Sequence, residues 1–172
     1  MKKKFVIAVS VLFFVFSLIY FSGCPRPSSS SEGDVPVFSL EKIGGGRMTN
    51  RDFEGKVVFI DFWAIWCGPC RSATPYVIKL HEQFKGTDLL VIGMNLDYNK
   101  SVREVEEFTK KEKIEYIVLK GDQTISNSFK IRGIPAFFLI DRRGNISKKY
   151  VGFNPAFFKQ MSEDIDKLLK EK

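Results

Sequence analysis

The stretch KVVFIDFWAIWCGPCR, at residues 56–71, is the feature that most limits what this chain can fold into. Residues 56–64 form an apolar run that is typical of a strand covered on both faces of a sheet. After the cysteine pair, apolar side chains recur at helical spacing, and Pro75 should kink that helix because it removes one backbone hydrogen bond. We therefore predict a central strand that passes through the two cysteines into a helix whose buried side consists of Ala73, Val77, Leu80 and Phe84.

The remaining pattern alternates short strands with helices and then ends on a hairpin and a final helix. Asn154 and Pro155 supply an N-cap and a first-turn proline for that last helix. Such an order predicts an α/β fold, a three-layer sandwich with a central mixed sheet flanked by helices. The expected strands are 35–40, 56–64, 88–97, 116–120, 136–141 and 146–152, and the expected helices are 70–84, 101–113, 124–131 and one beginning at 155.

Residues 1–24 have the order of an export signal rather than of a core element. Three lysines precede an apolar run of 17 residues, 5–21, which is at the short limit for a membrane-spanning helix. The end FSGC resembles the lipobox of bacterial lipoproteins, whose cysteine is lipidated, although Phe21 departs from the usual leucine. Three fates stay open: lipidation at Cys24, an uncleaved anchor, or cleavage and release.

The first two fates would tether the chain outside the cytoplasmic membrane, where disulfide chemistry is possible. Residues 25–34, rich in proline and serine, read as a flexible tether, and residues 35–172 as the folded domain. The formal charge of +7 includes the three leader lysines, and the other charges are intermixed. This pattern favours a solvated surface and argues against nucleic-acid binding.

The spacing of the cysteines suits thiol chemistry. If the strand ends near Ala64 and the helix begins around Cys67, the Cys67 sulfur lies at a helix N-terminus, which favours the thiolate. Two intervening residues allow Cys70 to come within disulfide reach on the first turn, and Pro69 suits an early helical position. Cys67 is therefore the candidate nucleophile, and Cys70 the thiol that resolves a mixed disulfide.

Other readings of the pair are a zinc site and a structural disulfide. A zinc site needs two more cysteine or histidine ligands, and the chain offers only Cys24 and His81. A disulfide across such a short loop removes little chain entropy, so it adds little stability. We read His81 as an ordinary histidine on the helix surface.

Asp61 is the second candidate catalytic residue because it interrupts an otherwise apolar strand. Burial penalises an ionised carboxylate, so we expect its pKa to rise. An acid tuned in this way could relay the proton of Cys70 during exchange. The alternative is an aspartate at the strand end that solvent reaches.

Two segments carry a resemblance to a known family. DFWAIWCGPC, residues 61–70, resembles the active-site segment of the thioredoxin superfamily, and RGIPAFFLID, residues 132–141, resembles its cis-proline strand. The leader and an extra segment between about residues 98 and 125 resemble the membrane-tethered branch similar to TlpA and ResA. This resemblance implies a thioredoxin-like fold and a thiol-disulfide oxidoreductase, with Cys67 attacking, Cys70 resolving and Asp61 as the buried acid.

The resemblance also implies a surface for an extended polypeptide substrate. Ile134 and Pro135 match the cis-proline loop, which lies against the cysteine pair in that family. The expected substrate-binding residues are Trp66, Gly68, Pro69, Ile134, Pro135 and Gly152, with Ile65 beside them, whereas Trp63 is expected to be core. Members devoted to cytochrome c maturation often carry a glutamate where this chain has Ala73, which weakens that assignment.

Redox direction follows from the potential of the pair relative to its surroundings. A CGPC pair resembles the reducing end of the family, near about −270 mV for thioredoxin. We expect no cofactor besides the cysteine pair and no metal, and the sequence has no flavin or nicotinamide fingerprint, so electrons should come from a membrane carrier resembling CcdA or DsbD. The expected substrates are disulfide-containing proteins of the cell envelope; a thiol oxidase or isomerase, a copper carrier and a non-catalytic binding module are the alternatives.

Overall fold

A seven-stranded mixed sheet forms the middle of the molecule in the computed structural model, which describes residues 33–171. The strand order is β2-β1-β5-β4-β3-β6-β7, with β3, β4 and β5 parallel and the other neighbouring pairs antiparallel. The strands are β1 (Ser39–Lys42), β2 (Arg47–Thr49), β3 (Val57–Trp63), β4 (Leu89–Asn95), β5 (Ile117–Lys120), β6 (Ala136–Ile140) and β7 (Ile146–Val151). The helices are α1 (Gly68–Gln83), α2 (Val102–Lys111), α3 (Gln123–Ser128) and α4 (Pro155–Lys170), with a short 3₁₀ helix at Asn50–Phe53.

Strand β3 is the centre of the sheet, and all seven of its residues are buried. Because side chains alternate along a strand, Phe59, Asp61 and Trp63 point to one face, and Ile60 and Phe62 to the other. The first face packs against α1, α2 and α4, and the second against α3 and the 3₁₀ helix. Helices therefore cover both faces, and the predicted three-layer sandwich with a mixed sheet is confirmed.

Capping side chains mark where α2 and α4 begin. The Ser101 hydroxyl accepts the backbone N–H of Glu104 at the start of α2, and the Asn154 side chain accepts that of Ala156 at the start of α4. The sequence spacing predicts an apolar stripe on α4 at Phe158, Met161, Ile165, Leu168 and Leu169. The structure buries the first four, and Leu169 is half-buried.

The N-terminal strand is the part of the fold that the sequence misplaces. The predicted strand 35–40 is instead β1 at Ser39–Lys42, and β2 at Arg47–Thr49 was not expected. Residues 44–46 are three glycines with positive φ, and this turn folds β1 onto β2 as a hairpin. Val37, one of the residues predicted to be in the strand, is 88% exposed and so lies outside the core.

The leader, the lipobox-like cysteine Cys24 and most of the tether lie outside the described residues. Within residues 33–171, no helix combines the length and the hydropathy that crossing a membrane requires.

Candidate active site

Cys67 and Cys70 lie where β3 passes into α1, and they form a disulfide with Cα atoms 5.2 Å apart. Cys67 is the N-cap of α1, and its Sγ accepts the backbone N–H of Cys70 at 3.1 Å. Pro69 occupies the first turn of the helix, where its missing N–H costs nothing. The first sulfur therefore faces the positive end of the helix dipole, as the sequence spacing predicts.

The disulfide lies just beneath the surface. Cys67 is 4% exposed and Cys70 is 2% exposed, so a partner can reach only a small part of either side chain. Trp66, Gly68 and Pro69 around it are exposed, and the Trp66 indole is 69% exposed. A large aromatic side chain left in water beside a reactive sulfur is a ready contact for an apolar partner.

Asp61 is buried on the face of β3 that packs against α1. It is 2% exposed, and its Oδ1 has no hydrogen-bond partner among the described residues. Burial alone raises the pKa of Asp61 to about 8. The carboxyl therefore remains largely protonated at neutral pH, whereas an aspartate that solvent reaches would be ionised.

Gly93 makes room for the groups beside Asp61. It is the register partner of Asp61 on β4, and a Cβ there would lie 2.9 Å from Trp63 Nε1 and 3.1 Å from Tyr116 Cε2. Trp63 is 2% exposed and stacks on Phe108 with ring centroids 5.3 Å apart, so it belongs to the core. Burial raises the pKa of the Tyr116 phenol, and the nearby Asp61 charge adds to that shift.

The loop before β6 reaches the first sulfur. The Ile134–Pro135 peptide bond is cis, and the Ile134 carbonyl oxygen lies 3.7 Å from Cys67 Sγ. Gly152 donates its backbone N–H to the Pro135 carbonyl at 2.8 Å, which ties the end of β7 to this loop. Ile134 is half-buried and Pro135 is buried, while Ile65 on the other side of the pair is half-buried. The structure thus brings the Ile134 carbonyl to the first sulfur, whereas Pro135, expected on the substrate surface, is itself buried.

Asp97 belongs to this site, although it was missing from the candidate residues. Its Oδ2 accepts the backbone N–H of Ile65 at 2.7 Å and the side-chain amide of Asn95 at 2.6 Å. The available signal was the sequence MNLD, which places two polar residues at the carboxyl end of a buried strand. A carboxylate there is costly unless something binds it.

The remaining candidates from the sequence are the single histidine, His81, and a metal site. His81 is half-buried on α1, with its ring 6.0 Å from that of Tyr116. Among residues 33–171, no group of three or more histidine, cysteine or acidic side chains is placed to hold a metal ion.

Comparison with known protein families supports a redox site. The family description Redoxin matches residues 31–169. The thiol-disulfide oxidoreductase ResA of Bacillus subtilis is 30% identical over 128 residues, which are 74% of this chain and 70% of that protein. The thioredoxin-like protein YneN of the same organism is 29% identical over 133 residues, which are 77% of this chain and 76% of that protein.

Solved structures of similar shape come from other bacteria. A thiol:disulfide interchange protein DsbE from Chlorobium tepidum superposes with a TM-score of 0.73 at 30% identity, covering 83% of this chain and 99% of its own. A protein disulfide isomerase from Bacteroides thetaiotaomicron gives a TM-score of 0.74 at 28% identity, covering 84% of this chain and 92% of its own.

Proposed function

Because the chain belongs to the redoxin family and is a thiol-disulfide oxidoreductase of thioredoxin-like fold, we propose that it reduces disulfides of cell-envelope proteins through Cys67 and Cys70. The observation that carries the proposal is the position of Cys67 Sγ. It lies at the start of α1, within 3.1 Å of a backbone N–H and 3.7 Å of the Ile134 carbonyl oxygen. A thiolate at that point is stabilised by the helix end and lies beside the backbone that would hold a substrate strand.

The proposed reaction has two exchange steps. The Cys67 thiolate attacks one sulfur of a substrate disulfide; a bond forms between them, and the other substrate sulfur leaves as a thiolate. Cys70 then loses its proton and attacks Cys67 Sγ, which closes the Cys67–Cys70 disulfide and releases the second substrate thiolate. Two electrons pass to the substrate, and the pair in the structure corresponds to the oxidised product.

Asp61 is proposed to take the Cys70 proton in the second step, and it does so from its ionised form, which is about one tenth of the carboxyl at pH 7 for a pKa of about 8. A base works best when its pKa lies near the working pH and near that of the donor, and a free thiol has a pKa of about 8.5. The Asp61 pKa of about 8 lies close to both values. Transfer between the two groups is therefore nearly balanced in free energy, whereas an ordinary aspartate would be far too weak a base.

The proposed substrate surface consists of Trp66, Gly68 and Pro69 on one side of the pair and Ile134, Pro135 and Gly152 on the other. The backbone of Ile134, beside Cys67, would pair with an extended segment of the substrate, and the Trp66 indole would cover an apolar side chain. A folded substrate could present its disulfide here only on a loop, because both cysteines are almost buried.

We propose that the leader keeps this domain at the outer side of the cytoplasmic membrane, either through a lipid on Cys24 or through an uncleaved anchor. Residues 25–34 would serve as a tether of roughly 15 to 20 Å as a random coil. Electrons would come from a membrane thiol carrier of the CcdA or DsbD type, since the Cys67–Cys70 disulfide must be reduced again after each turnover.

The reduction potential of the pair tests the proposed direction. We expect a value nearer about −270 mV than about −120 mV. The full-length chain is equilibrated with dithiothreitol buffers of defined ratio, and the free thiols are counted by alkylation and mass spectrometry, with Cys24→Ser as the control in which only the pair titrates. A potential near about −120 mV would make the pair an oxidant and reverse the proposed flow of electrons.

A further inference from the structure

We propose that Asp97 is a positioning residue for the reaction. It holds the 64–67 loop in place, and this keeps the Cys67 sulfur at the start of α1. The inference rests on the exchange proposed above and adds a residue outside the CGPC and cis-proline segments. Asp97 touches neither the sulfurs nor, in the structure, any substrate surface; it acts through the backbone of Ile65.

The contact itself is short, and the carboxylate that makes it is buried. Asp97 is 2% exposed, and its Oδ2 accepts two hydrogen bonds, from Ile65 N at 2.7 Å and from Asn95 Nδ2 at 2.6 Å. Asn95 is fully buried, and its Oδ1 in turn accepts the Asp97 backbone N–H at 3.2 Å. Hydrogen bonds to a carboxylate are among the stronger ones in proteins, so the Ile65 N–H is firmly held.

Three strands fix the position of Asp97. Leu96 donates its N–H to the Trp63 carbonyl at 2.8 Å, and Gly121 donates its N–H to the Asn95 carbonyl at 2.8 Å. Lys120 on β5 donates its ammonium to the Asp97 carbonyl. A Cβ at position 121 would lie 2.8 Å from the Asn95 carbonyl oxygen, so glycine permits this close approach. The carboxylate is thus anchored to the rigid sheet rather than to a mobile loop.

The hydrogen bond to Asp97 lies close to the sulfur along the chain, since Ile65, which carries the bonded N–H, is two residues before Cys67. Ile65 follows β3 directly after Ala64, and the Cys67 N–H closes the turn by bonding the Ala64 carbonyl at 3.1 Å. Without the bond to Asp97, the Ile65 N–H would be buried and unpartnered or would turn to find water. The first change weakens the constraint on the loop that sets the direction of Cys67 Sγ towards the Cys70 N–H, and the second rotates that loop.

Burying the carboxylate is a cost that packing alone does not explain. Asp97 Oδ1 is buried and has no partner among the described residues, so half of the carboxylate is unused. The oxygen that is used binds the loop before the nucleophile. A residue kept for packing at this point could be apolar, whereas a residue kept to hold a backbone N–H needs an acceptor.

The test compares Asp97→Ala, Asp97→Asn and Asp97→Glu in the full-length, reduced chain. Asparagine keeps an oxygen for the Ile65 N–H and removes the charge, whereas glutamate keeps the charge and moves the oxygen by one methylene. Asp122→Ala is the matched control, because Asp122 also accepts a backbone N–H, from Ile125 at 2.8 Å, but at the start of α3. The readout is the rate of Cys67 alkylation by iodoacetamide from pH 5 to pH 9, with the modified cysteine identified by mass spectrometry.

We expect the alkylation rate of Asp97→Ala at pH 7 to fall about tenfold, with its pH midpoint raised towards that of a free thiol. Asp97→Glu should change in the same direction, while Asp97→Asn stays within about threefold of the wild type because it restores the hydrogen bond. Asp122→Ala should melt at a lower temperature and keep the wild-type pH midpoint. If alanine does not fold, the asparagine and glutamate variants carry the comparison.

Other outcomes overturn the inference. Equal shifts in the alanine and asparagine variants would mean that charge, and not position, matters. A wild-type midpoint in all three Asp97 variants would reduce the contact to a stabilising one. Alkylation of Cys70 before Cys67 in the wild-type chain would overturn the proposed function and this inference with it, whereas the first two outcomes leave the proposed function intact.

Discussion

A chain with Cys70 replaced by serine is expected to accumulate as mixed disulfides with its substrate proteins, and a chain with Cys67 replaced by serine is not. In the proposed reaction, Cys67 joins the substrate first, and only Cys70 can release it. Attack by a group that is already held in place can have an effective molarity of about 10⁵ M or more. Loss of Cys70 should therefore lengthen the life of the mixed disulfide by orders of magnitude.

The reason for the asymmetry is the position of the two sulfurs relative to α1. Cys67 is the N-cap and lies next to the exposed Trp66, whereas Cys70 is inside the first turn; both are almost buried, so their position rather than their exposure separates them. A thiol inside the turn can reach Cys67 Sγ but has little room for a substrate sulfur.

The measurement is non-reducing electrophoresis and mass spectrometry after acid trapping of cells that produce each full-length variant. Cys24→Ser with both site cysteines intact is the control for adducts formed through the third cysteine. Equal amounts of trapped protein in Cys67→Ser and Cys70→Ser would show that the assignment of nucleophile and resolving thiol is wrong.

Asp61→Asn is expected to stabilise the folded chain, and by more as the pH rises. Burial raises the pKa of Asp61 from 3.8 to about 8, so the folded state keeps a proton that the unfolded chain releases. Stability from this group is therefore fully present below about pH 4 and is lost as the pH rises towards about 8. With about 1.4 kcal/mol for each pH unit, the wild-type chain should lose at most about 4 kcal/mol between pH 5 and pH 8 that the asparagine variant keeps.

Guanidinium unfolding of the oxidised proteins at pH 5 and pH 8 measures this difference. Asp166→Asn, which changes an exposed carboxyl on α4, is the matched control and should follow the wild type. If Asp61→Asn and the wild type lose stability in parallel over this range, Asp61 is ionised in the folded protein and cannot relay a proton near neutral pH in the proposed way.

Asp61→Asn should also slow the release of substrate from Cys67, because Cys70 then lacks its proton acceptor.

Local sequence was sufficient for the middle of the molecule. The apolar run 56–64, the helical spacing of Ala73, Val77 and Leu80, and the capping pair Asn154 and Pro155 each dictate an element by themselves. Asp61 could also be found, because a lone carboxyl in a buried strand is an exception that burial makes costly.

Features that depend on contacts between distant segments could not be predicted from the sequence. The β1–β2 hairpin is short; β1 gains its place from pairing with β5, and β2 from pairing with β1, rather than from a strong sequence pattern. Asp97 lies 32 residues from Ile65 along the chain, so its hydrogen bond is visible only once β3 and β4 are side by side. The half-buried position of His81 likewise depends on Tyr116, which arrives from another element.

Turnover of insulin disulfides in the presence of dithiothreitol tests most directly whether Cys67 exchanges electrons with other proteins. The full-length wild-type chain and Cys24→Ser should both precipitate the insulin B chain faster than dithiothreitol alone, and Cys67→Ser should fall to the rate of dithiothreitol. A Cys67→Ser chain that works as fast as the wild type, or a wild-type chain no faster than dithiothreitol, would contradict the account.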